Sequence, residues 1–293
     1  MQKPKMICHG GVSPRTSDIQ ARRRVTVRAT KVGYRILRKG GSALDAVTEA
    51  ITVMEDDPLL NAGTGSFVQM DGISRMDACV MDSELNVGAV IQISDVKNPI
   101  QVARRILDQK IHSILMGDLA SDFARKEGFG IYDPRTQEKL EIWLKYRKKY
   151  AKYKDYELVH CISEEVGKQK MLGTVGAVAL DQKGRIAAGT STGGLRLDLP
   201  GRVGDVPLVG CGTYANVHSG VSCTGIGEKI IKVVLAKTVA DLVETGLSAQ
   251  KASETAIERI SAVGGKAGLI CIDNRGGFGA AFNTPVMNYH KEG

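Results

Sequence analysis

Aromatic residues are scarce: one tryptophan, five phenylalanines and eight tyrosines stand against 34 glycines in 293 residues. That composition suits close backbone approaches and many turns better than a helical bundle. Cysteine supplies no framework. Cys8, Cys79, Cys161, Cys211, Cys223 and Cys271 show no C-x-x-C and no paired spacing, which argues against a disulfide scaffold or a zinc module. The five histidines are scattered, with no H-x-x-x-H pair to grip a metal from one helix face. Phosphate loops are missing too: there is no G-x-x-x-x-G-K-[ST], and no G-x-G-x-x-G leads from a strand into a helix. The opening MQKPKMICHGG is too short in apolar residues for a signal peptide, and no run reaches transmembrane length. A reducing, cytoplasmic setting is the expectation.

The chain carries a formal charge of +8. Much of the excess crowds one stretch, where Lys145, Arg147, Lys148, Lys149, Lys152 and Lys154 interleave with Tyr146, Tyr150, Tyr153 and Tyr156. A solvated helix and linker is one reading, and RNA binding is the other. At this length one large domain can bury its own core without a staple.

Periodicity predicts a short strand at Met6–Cys8 that stops at His9-Gly10-Gly11. A helix with Val25, Ala29, Val32 and Ile36 on one face follows, opened by a Ser17/Gln20 capping box and ended at Gly40-Gly41. A second helix starts at Ser42/Asp45 and closes at Asp57-Pro58. A glycine-rich loop then leads into strands near 66–80 and 87–94. Asn98-Pro99 opens helical structure to about 127. The interval 130–172 is polar and charged, helical near Trp143, and reads as a flexible linker. Strands 174–180 and 185–191 flank a hairpin turn. Glycine-rich loops fill 193–227, one long helix covers 227–245, another 248–262, and two last strands take 267–273 and 278–283.

Chemistry concentrates in the second half: Thr174, TSTGG at 190–194, PGRVGD at 200–205 and SCTGIGE at 222–228. The G-x-S-x-G match in GTSTG lacks the strand-to-helix elbow and later histidine of a serine hydrolase. His9 reads as a structural hydrogen-bonding residue rather than a base. A hydroxyl nucleophile without histidine needs another base, and an N-terminal threonine brings its own α-amine. That amine titrates at roughly 7.7–8.0. Thr174 becomes terminal if the Gly173–Thr174 bond breaks, and glycine at 173 leaves room for the hydroxyl to reach the preceding carbonyl. Arg202 and Asp205 read either as a structural ion pair or as a clamp for a carboxylate and an ammonium.

Taken together, LGTVGAVAL, GTSTGG, PGRVGDVPLVGCGTYAN and VSCTGIGE resemble the plant-type asparaginases, or isoaspartyl peptidases, of the N-terminal nucleophile hydrolase superfamily. HGG at 9–11, GGSALDAV at 40–47, EDDPLLNAGTGS at 55–66 and MDACVMD at 76–82 agree in order and spacing. The resemblance implies an α+β fold, a four-layer αββα sandwich in one domain. It also implies self-cleavage into 1–173 and 174–293, which then assemble as a dimer of αβ pairs. Asparagine and β-aspartyl dipeptides are the implied substrates, with glycosylasparaginases, which act on sugar-linked asparagine, as the near alternative.

The same resemblance implies roles. Thr174 is the nucleophile, and Thr192 orients its hydroxyl. Thr224 and Gly225 form the oxyanion hole, and Asn61 gives polar support during processing. Arg202 and Asp205 take the α-carboxylate and α-ammonium, in a pocket lined by Val203, Gly204, Ile226 and Gly227. No organic cofactor is implied, but a structural sodium ion on backbone carbonyls near Leu59, Leu60 and Asn61 is. Small-molecule substrates are the expected partners, with neither nucleic acid nor membrane. The sequence departs from the family at HGGVS, where HGGAG is common. It departs again at Val206, in place of serine or threonine, and at Arg196 and Asp198, in a stretch that often carries a lysine. The last two places border the pocket.

Overall fold

The structure, a computed structural model, describes residues 2–13, 19–149 and 173–293. Two sheets organise it. The larger contains β1 (Lys5–Ser13), β2 (Met76–Asp82), β3 (Val87–Ile93), β4 (Ile114–Met116), β5 (Thr174–Leu180), β6 (Ile186–Thr192) and β11 (Val286–Glu292), in the spatial order β11-β1-β5-β6-β2-β3-β4. The smaller contains β7 (Thr213–Ala215), β8 (Ser219–Gly225), β9 (Ala267–Asp273) and β10 (Phe278–Phe282), in the order β10-β9-β8-β7. Strand pairing is antiparallel throughout except between β3 and β4.

Three apolar cores follow from that arrangement. Helices α1 (Ile19–Arg38), α2 (Ala43–Glu55) and α3 (Pro99–Gln109) press Leu37, Val47, Ile51 and Ile106 onto the larger sheet. Beyond α4 (Gly117–Lys126), α5 (Gln137–Lys149) and α6 (Gly227–Val233), helices α7 (Leu235–Glu244) and α8 (Ala249–Ala262) bury Val239 and Ile260 against Val221 and Leu269 of the smaller one. Between the sheets lie Ile7, Val178, Leu180, Ile186, Ile270 and Ile272. β5 and β6 are buried along their whole length. β5 reads as an apolar run because both its faces are covered, whereas β6 starts apolar and ends in the hydroxyls of Thr190, Ser191 and Thr192. Each fully buried leucine or isoleucine contributes about 1.5–3 kcal/mol relative to exposure.

Local chemistry explains most boundaries. The Ser42 side chain accepts from Asp45 N–H and caps α2. Pro99 sits in the first turn of α3, where its missing N–H costs nothing. Ser17 of the expected capping box lies outside the described residues, while Gln20 falls in α1. Within the expected linker, 137–149 form α5. Its Trp143 Nε1 donates to the Met70 carbonyl, and Tyr146 lies against the Arg196 guanidinium. Residues 150–172 of that segment are outside the described part.

Several expectations are corrected. β1 does not stop at His9 but runs to Ser13, because Gly11 adopts φ +91 and absorbs a bulge in the pairing with β11. β2 begins at Met76, and the stretch before it is turns. The helical run to 127 is interrupted by β4. The loops of 193–227 contain β7 and β8. The helix of 227–245 is two, broken where Val234 takes a left-handed conformation, φ 46. A further strand, β11, closes the larger sheet at the chain end. Among the described residues no helix is long and apolar enough to cross a membrane.

Candidate active site

The site forms where β5, β6 and β8 end beside the loop that follows α2. Thr174 opens β5 and stands directly opposite Thr192, the last residue of β6. Both are buried, and Thr174 Oγ1 donates to Thr192 Oγ1 at 3.3 Å. Thr192 Oγ1 in turn lies 3.3 Å from the Gly173 carbonyl and accepts Gly194 N–H.

Asn61 completes this corner. Its Nδ2 donates to the carbonyls of Gly173 and Gly194, each at 2.8 Å, and its Oδ1 accepts Phe67 N–H. The Gly173 carbonyl oxygen therefore receives two donors, an amide N–H and a hydroxyl. Negative charge developing on that oxygen would be stabilised without rearrangement. Neighbouring carbonyls bear on a cation site. That of Asn61 accepts Gly193 N–H, whereas those of Leu59 and Leu60 take no backbone hydrogen bond from the described residues. Free carbonyl oxygens on a tight turn fit a hard cation.

β8 brings Thr224. Residues two apart along a strand share a face. An added Cβ at Gly220 would meet Ile186 and Val178, and one at Gly176 would meet Ser222. Advancing along β8 thus leads toward the Thr174/Thr192 end. Thr224 is fully buried and its hydroxyl has no hydrogen-bond partner among the described residues. An orphaned buried hydroxyl costs stability unless a ligand satisfies it. Gly225 beside it has φ +153, a conformation that side chains avoid.

Three residues on, Gly227 marks the anchor. A Cβ there would lie 2.9 Å from Arg202 Nη2 and 3.0 Å from Asp205 Oδ1, so only glycine lets both groups face the same space. The two do not form the structural ion pair. Arg202 Nη1 meets Asp198 Oδ2 at 3.2 Å, and its Nε and Nη2 meet Glu228 Oε1 at 2.9 and 2.8 Å. Those contacts use three of the five N–H groups that a guanidinium offers, so Arg202 keeps donors for a carboxylate. Asp205 Oδ2 is buried without a hydrogen-bond partner among the described residues. Burial pushes the Asp205 carboxyl up to about 7, against the pull of its own backbone N–H and Arg202.

The structure thus gathers Asn61, Gly173, Thr174 and Thr192 in one corner, and Arg202, Asp205 and Gly227 in another, with Thr224 and Gly225 on the strand between. Val203 and Gly204 lie in the anchor loop, and Ile226 caps α6. Two supports were not legible beforehand. Gln92 Nε2 donates to the Arg202 carbonyl, and its Oε1 accepts Gly201 N–H. Asp77 is buried, holds Gln92 N–H at 2.7 Å, and is pushed up to about 6 by burial. Asp198, flagged as a departure, proves to be an Arg202 partner; burial raises it to about 6 as well.

Residues 2–292 match the asparaginase family. The chain belongs to that family. It is 48% identical over 266 residues to the plant-type L-asparaginase of Pyrococcus furiosus, covering 89% of this chain and 86% of that protein. It is 44% identical over 264 residues to the isoaspartyl peptidase of Escherichia coli K12, with 88% and 81% covered. The isoaspartyl peptidase/L-asparaginase of Xenopus laevis is 38% identical over 291 residues, with 98% and 91% covered.

Proposed function

We propose that this chain is a self-processing amidohydrolase that releases ammonia from L-asparagine and cleaves β-aspartyl dipeptides. The observation that carries the proposal is the Gly173 carbonyl, held by Asn61 and Thr192 next to the Thr174 hydroxyl. Thr174 Oγ adds to the Gly173 carbonyl carbon, and the Gly173–Thr174 C–N bond breaks. The hydroxyl proton ends on the new α-amine, and water hydrolyses the resulting ester. The products, 1–173 and 174–293, stay together because β1 pairs with β5 and β11, and β2 pairs with β6, across the cut. Helices on the outer faces of two stacked sheets support the four-layer αββα reading.

In turnover the freed α-amine accepts the proton as Thr174 Oγ attacks the side-chain carbonyl of asparagine, or the isopeptide carbonyl of a β-aspartyl dipeptide. The amine then passes the proton to the leaving nitrogen, and water releases aspartate from the acyl-enzyme. Thr224 Oγ1 and Gly225 N–H receive the oxyanion, while Arg202 and Asp205 hold the α-carboxylate and α-ammonium. A sodium ion on the Leu59 and Leu60 carbonyls would pin the turn that carries Asn61 and take no part in bond making. The working particle is a dimer of αβ pairs, in the cytoplasm.

Kinetics with asparagine, β-aspartyl-leucine and N-acetylglucosaminyl-asparagine test the substrate class. The first two should be hydrolysed and the third not; turnover of the sugar-linked substrate alone would overturn the reading.

A second expectation concerns pH. The substrate ammonium needs an ionised Asp205, and burial holds this carboxyl protonated up to about 7. KM for asparagine should therefore rise as pH falls through that value, by up to about tenfold per unit. Over the same range kcat falls as the amine protonates, below roughly 7.7–8.0. A KM that stays flat from about pH 8 to about pH 5, across the ordinary amine and histidine range, would remove Asp205 from the ammonium site.

A further inference from the structure

Behind the row of site threonines lies a second row. Two residues deeper on the same faces stand Gly176 of β5, Thr190 of β6 and Ser222 of β8, with His9 of β1 opposite Gly176. His9, Thr190, Ser222 and Thr213 are all fully buried, and they form one hydrogen-bonded chain across the gap between the sheets. His9 Nε2 lies 3.0 Å from Ser222 Oγ, Ser222 Oγ lies 2.7 Å from Thr190 Oγ1, and Thr213 Oγ1 lies 2.7 Å from Thr190 Oγ1.

Both ring nitrogens of His9 are engaged: Gly11 N–H lies 3.3 Å from Nδ1, and Nε2 faces Ser222. Burial, only partly offset by a hydrogen bond to the Thr174 backbone, lowers the His9 ring to about 3 and keeps it neutral. Ser222 Oγ and Thr190 Oγ1 share the next hydrogen bond. Thr190 donates onward to the Gly212 carbonyl at 3.2 Å, and Gly212 N–H donates to the Asp205 carbonyl at 2.9 Å. One end of the chain thus touches the backbone of Thr174, and the other reaches the backbone of Asp205 through Gly212. Gly176 leaves the space for it: a Cβ there would stand 1.9 Å from Ser222 Oγ and 2.4 Å from His9 Nε2.

We infer that the His9–Ser222–Thr190–Thr213 chain is a positioning relay, which sets the nucleophile strand against the substrate-anchoring loop and so fixes the distance between attacking oxygen and bound carbonyl. The inference rests on the Thr174 reading above. None of its members touches substrate. Its effect reaches the reaction through geometry, to which rates are steeply sensitive.

Hydroxyl and volume separate in the test. Thr190→Val keeps the shape and deletes the hydroxyl, whereas Thr190→Ser keeps the hydroxyl and deletes a methyl. Thr213→Val serves as a second deletion should Thr190→Val fold poorly. Each variant is assayed for self-cleavage rate, for kcat and KM per cut chain, and for Tm, with Thr174→Ala alongside. The relay predicts that either valine variant loses about tenfold or more in kcat and in cleavage rate, while Thr190→Ser stays within about twofold of the parent. If the row merely fills space, the order reverses: the valine variants match the parent and the serine variant is worse, and the relay is overturned. Thr174→Ala reports separately on the underlying reading, since cleavage or turnover in that variant sinks the nucleophile assignment whatever the relay variants do.

Discussion

Thr174→Ala is expected to abolish hydrolysis and to leave the polypeptide in one piece. Both losses come from one atom, because the oxygen that would cut the Gly173–Thr174 bond is the oxygen that would attack substrate. The geometry that supports this is specific: Oγ1 is held by Thr192 at 3.3 Å, and the carbonyl it would attack is gripped by Asn61 at 2.8 Å. Removing the nucleophile of a comparable hydrolytic triad lowers kcat by about 10⁶, so activity should fall to background. Thr174→Ser retains the hydroxyl and should be both cut and active. An alanine variant that is cut, or that turns over asparagine at a rate near the parent's, contradicts the assignment.

Thr224→Val should separate activity from stability in opposite directions. The Thr224 hydroxyl is fully buried and has no hydrogen-bond partner among the described residues. Leaving such a group unsatisfied costs about 1–3 kcal/mol, and valine of nearly the same volume removes that cost. Tm should therefore hold or rise. The oxyanion, however, loses a donor, and one missing donor lowers kcat by about 10²–10³. Calorimetry and steady-state kinetics on the same preparation check both halves. A variant that melts earlier and works normally would mean that the hydroxyl is structural.

Much of this was legible in the chain, and the exceptions have physical causes. β5 announced itself because both faces are buried and apolar residues dominate from Val175 to Leu180. β6 did so through its apolar start, Ile186-Ala187-Ala188, just after a hairpin turn. β8 did not, because its alternation is short and muted: Val221 and Cys223 face the helix-side core, Ser222 and Thr224 the other side, and Gly220 and Gly225 flank them like loop residues. β11 was missed for a related reason: MNYHKE lies at an edge, half exposed, and reads as polar. The break at Val234 is invisible because apolar periodicity continues through it, and only the backbone turns.

The site divides the same way. Thr174, Thr192, Arg202 and Asp205 sit in short glycine-rich motifs where neighbours in sequence are neighbours in space. Gln92, Asp77 and the His9–Ser222 pair act over long separations. His9 and Ser222 are 213 positions apart, and no local pattern encodes such a meeting. Glu55 is a further case. Its Oε1 accepts from Ser191 Oγ at 2.6 Å across 136 positions, and burial pushes its carboxyl up to about 8. Sequence placed it only at the end of a helix.

Intact-mass spectrometry of hydrolytically competent protein tests the central claim most directly. Two fragments should appear, the second beginning with Thr174 and free at its amine. A single uncut species near 31.4 kDa, carrying full activity, would contradict it.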